Sequence, residues 1–596
     1  MRATIPRRWT ESVRAIRGAI AVAASLAVAA TGWAENVLPP IPEIPTPRAV
    51  GSVRMADSST AEEVKLELEI AAGPYGPTWR SIEANYPGTP DWLRESKFGI
   101  WVHFGPQSAG ESGDWYARRM YDPATPAYRN HVKRYGHPSE VGYKEVLRDW
   151  NPSKLDPAAL TKLYYASGAR YLIIQGVHHD QFDLWNSKHQ PWNSVNLGPK
   201  RDLVGEWAKA CQAQGMRFGI TFHHEYSWWW WQTAFGADKD GPKAGVPYDG
   251  RLTLADGVGT WWEGLDPRLL YGIDLREYET VDSAAHSDWS PPKAGLFQDH
   301  MPYAKWYATW WALRMMDAVD QYGPDFIYTD GTSSQPFSGN GTGTGIKCDG
   351  MQTVMAHFYN RTLAQRGKVD TFSIVKFRRK TNGTVNTEEF GVPREIKTEQ
   401  SWIAEAPVGD WFYGPNFSYD SRAIINYVVE ASARDGNSAV CVSLLPDGSL
   451  DEGSMKMLQE VGAWMTANGE AIYGSKAWVV AGEGQKDARG GLKMIPGGKL
   501  GRQQAAPGFS TKDFRFTVGK DGALYVFCMI APEPGETLSV MSLGAAANRL
   551  GAPITSVAML GTDDQIAWEQ KAEALEIVSP RVKAARGPVC FRVHWQ

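Results

Sequence analysis

Cysteine is scarce: five residues in 596 (Cys211, Cys348, Cys441, Cys528 and Cys590). So small and odd a number excludes a disulfide framework, and at least one thiol must stay free, most simply as a small buried hydrophobe. Net charge is nearly absent as well, at −4 from 62 basic and 66 acidic side chains. Without a basic excess there is no electrostatic footprint for nucleic acid or an anionic membrane surface. Beyond the first 35 residues no apolar run is long enough to span a bilayer. No G-x-G-x-x-G follows an early strand, and there is no H-E-x-x-H, no cysteine-spaced metal cluster and no internal repeat. Nor does a G-x-S-x-G elbow stand where a strand turns into a helix. These absences argue against a dinucleotide-binding open sheet, a zinc hydrolase and a Ser-His-Asp hydrolase.

Tryptophan is abundant, 26 residues within an aromatic fraction of 12%. That suits surfaces on which sugar rings stack. At the N-terminus, Arg2, Arg7, Arg8, Arg14 and Arg17 precede an Ala/Val-rich run at 18–30, and Gly32-Trp33-Ala34 offers a small-residue cleavage site. The pattern predicts a signal peptide over 1–34 and export to the periplasm or beyond, with no membrane attachment after cleavage. The Arg7-Arg8 pair is compatible with a twin-arginine route.

Residues 35–89 begin as a Pro-rich linker (LPPIPEIPTP at 38–47). From 90 to 475, strand-like runs at 98–104, 171–177, 218–222, 326–329, 372–377, 383–388, 401–404 and 439–445 alternate with amphipathic segments at 157–167, 201–214, 302–321 and 420–433. About eight such units predict a (β/α)₈ barrel. An aromatic-rich insertion at 228–300, opening with four consecutive tryptophans, reads as a folded lid. After 476, short runs at 477–481, 514–518, 523–530, 554–559 and 589–593 between Gly, Pro and Asp turns predict a C-terminal antiparallel β-sandwich.

Barrel enzymes place their chemistry at strand C-termini. The first strand ends at His103, with Asp114-Trp115-Tyr116 in the following loop; the second ends in His178-His179-Asp180 and the third in His223-His224. Adjacent histidines point in different directions, so the pairs fit hydrogen bonding to sugar hydroxyls better than a metal centre. Asp202 stands where it would cap the next helix. The fourth strand closes on Asp330-Gly331. Glycoside cleavage takes two carboxyl groups. Asp330 is one; Glu388, Glu389 and Glu405, at later strand ends, are the candidates for the other. No cofactor and no metal is called for.

These pieces resemble glycoside hydrolase family 29, the α-L-fucosidases. The matching segments are KFGIWVHFG at 97–105, DWY at 114–116, HHDQFDLW at 178–185, WNSV at 192–195, GPKRDLV at 198–204, DFIYTDG at 325–331, GDWFY at 409–413 and NGEAIY at 468–473. The resemblance implies a retaining exo-glycosidase that releases α-L-fucose from glycans. Asp330 would be the nucleophile, and His103, Asp114, Trp115, His178, His179 and His223 would hold the sugar hydroxyls. Aromatics, Phe222 and Tyr328 among them, would cover the methyl group. The Gly391-Val392-Pro393 anchor favours Glu389 as acid/base, with Glu388 next and Glu405 third. The family's Glu-Trp-Tyr appears here as Asp114-Trp115-Tyr116 and its Trp-Phe-Asp-Gly as Tyr328-Thr329-Asp330-Gly331. The alternatives are a retaining glycosidase for another sugar and a non-catalytic glycan-binding protein on a hydrolase barrel.

Overall fold

Eight strands, all but the half-buried β6 buried along most of their length, form one parallel sheet: β1 (Phe98–Val102), β2 (Tyr171–Val177), β3 (Arg217–Phe222), β4 (Phe326–Thr329), β5 (Phe372–Val375), β6 (Asn386–Glu389), β7 (Trp402–Val408) and β8 (Asn437–Val442). The computed structural model describes residues 36–43, 63–225, 227–274, 301–330, 347–376, 383–414, 419–580 and 587–596. The expected leader at 1–34, most of the linker, Gly331 and the far part of the insertion at 275–300 lie outside them.

Parallel strands covered on both faces read as continuous apolar runs rather than alternating ones. The sequences YLIIQGV of β2 and WIAEAPV of β7 have that character and are buried at every position. In the sheet β5 lies beside β4, then β3, β2, β1, β8, β7 and β6. The open ends meet through a Ser373–Thr384 bridge, with Val385 N donating to Ser373 O at 2.9 Å. That closes the barrel.

Helices α1 (Pro157–Ala166), α2 (Leu203–Gln214), α3 (Met301–Tyr322), α4 (Gly350–Arg366) and α5 (Ser421–Ser432) connect strands, and α6 (Glu452–Asn468) follows β8. Four begin on an aspartate whose carboxylate accepts a first-turn N–H: Asp156, Asp202, Asp420 and Asp451. Asp202 is therefore the cap expected from its position. Among the described residues no helix separates β5 from β6 or β6 from β7, so the regular alternation breaks there. No helix of the described residues is long and apolar enough to cross a membrane.

The lower half of the barrel is filled by aromatics that need glycine opposite them. Gly99 pairs with Tyr171 and Gly219 with Phe326 across neighbouring strands. A Cβ at either glycine would come within 2.2 Å of the facing ring. Phe326 stacks on Phe372 at 4.7 Å, and Trp92 lies over Phe372 at 5.4 Å. This plug leaves the cavity at the C-terminal mouth.

The C-terminal region has two antiparallel sheets. One holds β9 (Lys476–Glu483), β10 (Phe514–Val518), β11 (Leu524–Cys528), β13 (Ile554–Met559) and β16 (Val589–Trp595); the other holds β12 (Thr537–Val540), β14 (Trp568–Gln570) and β15 (Leu575–Val578). A separate apolar core, with Phe516, Leu538, Ile577 and Phe591 buried, lies between them. The sequence pattern marked the five strands of the first sheet and missed the second sheet entirely. Two links tie this region to the barrel. Glu430 of α5 pairs with Arg515 of β10 at 2.7 Å and with Arg434, all three at 0% side-chain exposure. Higher up, Leu500 bridges to Val408, and Gly498 N donates to Phe390 O at 2.6 Å. All five cysteines are buried and none forms a disulfide.

Candidate active site

The cavity at the barrel mouth is lined by His103, Asp114, Trp115, His178, His179, His223, Tyr328, Asp330 and Glu389, all expected from sequence, and by Trp101, Lys376 and Trp411. Most follow from a place on or just past a strand, while Asp114 and Trp115 come from the loop after β1 and Trp411 from the loop after β7. His103 stands just past β1, His178 and His179 past β2, His223 past β3, Asp330 past β4 and Lys376 past β5. Glu389 is the last residue of β6. His178 and His179 both reach the cavity, because the chain has left strand geometry by that point.

Two expected residues lie elsewhere. Phe222 is the last residue of β3, one before His223, so strand alternation turns it outward against Trp185 at 6.1 Å. It does not line the cavity. Glu388 is turned away from the mouth by the same alternation and pairs with Lys397. Glu405, inside β7, is 1% exposed and accepts a hydrogen bond from the Tyr328 hydroxyl at 2.9 Å.

Lys376 organises the carboxylates. Its Nζ lies 2.6 Å from Asp330 Oδ1 and 3.1 Å from Glu389 Oε2. Two oxygens held by one nitrogen can be no farther apart than 2.6 Å and 3.1 Å laid end to end, 5.7 Å. Burial disfavours the ammonium, but Asp330, Glu389 and Glu405 outweigh it and raise the lysine above its ordinary value. Burial, with a further push from Glu389 against the pull of Lys376, lifts Glu405 to about 8. Lys376 is therefore charged and Glu405 largely protonated at neutral pH.

The histidines form the opposite wall. His179 Nε2 and His223 Nε2 lie 3.7 and 3.9 Å from Asp330 Oδ2, and His178 Nε2 lies 3.8 Å from Asp114 Oδ1. Burial lowers His103, His178 and His223 well below the usual imidazole value and brings His179 to about 4. All four are neutral rings. Burial, reinforced by Asp410, lifts Asp114 to about 8, so it is a hydrogen-bond donor at neutral pH. Trp115 is held in the left-handed region at φ 63°, a costly conformation for a bulky residue. Its own N–H is fixed by Asp114 Oδ1 at 2.9 Å. The described part of the insertion packs on this wall: Trp230 lies 5.9 Å from Trp115 and 5.6 Å from His179.

Ring nitrogens of His103, His178 and His223 lie within 4.8 Å of one another, so among the described residues these three could hold a metal ion. Metal-bound histidines, however, hand their second nitrogen to a carboxylate or carbonyl. Both nitrogens of His103 and Nδ1 of His223 are buried without a partner. Neutral imidazoles with unpartnered nitrogens beside a carboxylate fit a polyhydroxylated guest better.

Lys376, Trp101 and Trp411 were not singled out from sequence. Lys376 ends a strand, the same signal that picked out Asp330. Trp411, 5.4 Å from His103, lies in the GDWFY segment already matched to the family.

The family model described as alpha-L-fucosidase matches residues 63–470. The tissue alpha-L-fucosidase of Rattus norvegicus is 24% identical over 537 residues, covering 87% of this chain and 92% of its own. The alpha-L-fucosidase of Dictyostelium discoideum is 25% identical over 438 residues, covering 69% and 77%. Among solved structures, Thermotoga maritima alpha-fucosidase superposes with a TM-score of 0.58 at 21% identity, covering 87% of this chain and 100% of its own. Alpha-L-fucosidase isoenzyme 1 from Paenibacillus thiaminolyticus gives 0.55 at 17% identity, covering 85% and 98%. With its barrel, its paired carboxylates and a family match across most of its length, the chain belongs to the alpha-L-fucosidase family of glycoside hydrolases.

Proposed function

We propose that the protein is an exported, retaining exo-α-L-fucosidase acting on fucosylated oligo- or polysaccharides. The observation that carries the mechanism is the shared Lys376: Asp330 and Glu389 oxygens lie no more than the summed 2.6 and 3.1 Å apart. Retaining glycosidases keep their carboxyl groups about 5–5.5 Å apart, whereas inverting ones leave about 6.5–9.5 Å for a water. Asp330 attacks the anomeric carbon and forms a glycosyl ester. Glu389 first gives a proton to the departing oxygen and then takes one from the water that cleaves the ester. Lys376 screens the two acidic groups from each other. The four neutral histidines bind hydroxyls, and Trp101, Trp115, Tyr328 and Trp411 supply apolar wall for the ring and methyl group. Fucose as the sugar is supported by the family and by the names of its members; export is supported by the basic and then apolar pattern at 1–34.

The test uses an aryl α-L-fucoside. Asp330→Ala should reduce turnover by roughly four orders of magnitude or more, as loss of a nucleophile does. Turnover close to wild type would sink the assignment. Glu389→Ala should be rescued by azide with an α-fucosyl azide product, because azide takes the place of water in the second of two inversions, while Glu388→Ala should need no rescue; the reverse pattern would move the acid/base to Glu388.

A further inference from the structure

Adjacent histidines in the cavity are wired to opposite polarity, and one side chain outside it does the wiring. Gln107 sits in a single turn at Pro106–Gly110, directly after β1, and is 0% exposed. Its Oε1 accepts the Ala117 N–H at 3.4 Å, which directs its NH₂ at His178 Nδ1, 2.6 Å away. An amide NH₂ only donates, so His178 Nδ1 must accept. A neutral imidazole carries one hydrogen, which therefore resides on His178 Nε2, the nitrogen facing Asp114. His179 is set the other way. Its Nδ1 faces the backbone carbonyl of His223, which only accepts, so Nδ1 carries the hydrogen and Nε2 accepts, facing Asp330.

The two ring centroids are 4.2 Å apart, so a donor and an acceptor stand side by side in the wall. Each faces a carboxyl oxygen across 3.7–3.8 Å, too long for a direct hydrogen bond, and a hydroxyl can bridge either gap. Two vicinal hydroxyls then bind in one sense only: one accepts from His178, the next donates to His179. We propose that Gln107 is a positioning residue that fixes the His178 tautomer and thereby the direction in which the site hydrogen-bonds a vicinal diol. This rests on the glycosidase reading of the cavity.

Gln107→Glu preserves shape and reverses polarity. A carboxylate accepts, so it draws the hydrogen to His178 Nδ1 and leaves Nε2 as a second acceptor. Burial and the charged Lys376 both disfavour a positive charge on His178, so the ring changes tautomer rather than gaining a proton. Two measurements test this on the whole chain. In ¹⁵N-histidine-labelled protein, with His178 identified by its loss in His178→Gln, wild type should show Nε2 protonated and Gln107→Glu should show Nδ1 protonated. In kinetics, Gln107→Glu should lower kcat/KM for an aryl α-L-fucoside roughly 100-fold, the loss expected when one buried hydrogen-bonding group is left without its partner. For the one deoxy analogue lacking the hydroxyl that His178 serves, wild type and variant should agree within about threefold. Gln107→Met, which removes the constraint without reversing it, should fall between the two. An Nε2–H signal that persists in Gln107→Glu would overturn the proposal. So would equal losses across the 2-, 3- and 4-deoxy analogues and the parent. If wild type hydrolyses no fucoside, the glycosidase reading fails, while the ¹⁵N spectra still decide the tautomer.

Discussion

Replacing Lys376 by methionine removes one positive charge from between two negative ones while preserving side-chain length. With oxygens no farther apart than the summed 2.6 and 3.1 Å, Asp330 and Glu389 then repel each other by ~3 kcal/mol at an effective dielectric of about 20. Glu405 adds little to this near pH 7, because burial keeps it largely protonated up to about 8. The pair relieves the repulsion by holding a proton that the wild type would release. At about 1.36 kcal/mol per pH unit, a repulsion felt only when both groups are ionised should hold the acid/base proton over roughly two further pH units, so the alkaline limb of the rate profile should move up by that much relative to its own plateau. The assay is kcat/KM for an aryl fucoside from pH 4 to 9, with circular dichroism to establish that the variant is folded. Lys376→Arg retains the charge and should keep the wild-type limb within about half a unit. A Lys376→Met enzyme within about threefold of wild type at every pH would refute the shared-counterion reasoning.

Two further outcomes follow from buried ionisable groups. Burial alone would raise Glu430, but Arg515 and Arg434 outweigh it and hold it below the ordinary glutamate value. Its stabilisation is therefore present above the unfolded-state value and is lost as pH falls through the lowered one. Glu430→Gln leaves two guanidinium groups buried without their carboxylate and should destabilise by about 3–5 kcal/mol at pH 7. Thermal unfolding should show a gap from wild type that is constant above about pH 5 and shrinks toward pH 3; a pH-independent gap would contradict the assignment. At the other end of the scale, burial and Asp410 keep Asp114 protonated up to about 8. Fucose affinity, measured by calorimetry, should weaken as pH rises through that value in wild type and stay level in Asp114→Asn. An equally steep loss in both would remove Asp114 as the cause.

The barrel was legible because buried parallel strands are largely continuous apolar runs, and all but the polar, half-buried β6 (NTEE) stand out in this way. The second sheet of the sandwich was not. Strand β12 alternates exposed and buried over only four residues, and β14 and β15 sit within the charged stretch WEQKAEALEIV. Short half-exposed strands carry too little periodicity to be told from loop or helix. In the site, the rule that strand ends carry chemistry found Asp330, His103 and the histidine pairs. It could not say which of two consecutive residues faces inward. Glu388 against Glu389 and Phe222 against His223 are both questions of side-chain alternation, settled only once the barrel closes. Lys376 obeys the same rule, but a lysine at a strand end carries no signal for a reaction that takes two carboxyl groups. Gln107 had no signal at all, since its role depends on a contact to a residue 71 positions away.

The link at residues 497–500 bears on how separable the two halves of the chain are. Phe390 follows Glu389 directly, is held at φ 59°, and its N–H donates to Glu405 O at 2.8 Å. Its carbonyl in turn accepts from Gly498, which lies between β9 and β10. The peptide immediately after the proposed acid/base is thus clamped from both sides, once by the barrel and once by a segment more than a hundred positions downstream. A barrel excised at residue 475 would keep every residue that lines the cavity and lose the outer jaw of that clamp. Modules that look exchangeable by sequence therefore share one catalytic alignment, and a foreign C-terminal half would have to reproduce the backbone path of a few glycine-rich residues before anything else about it mattered.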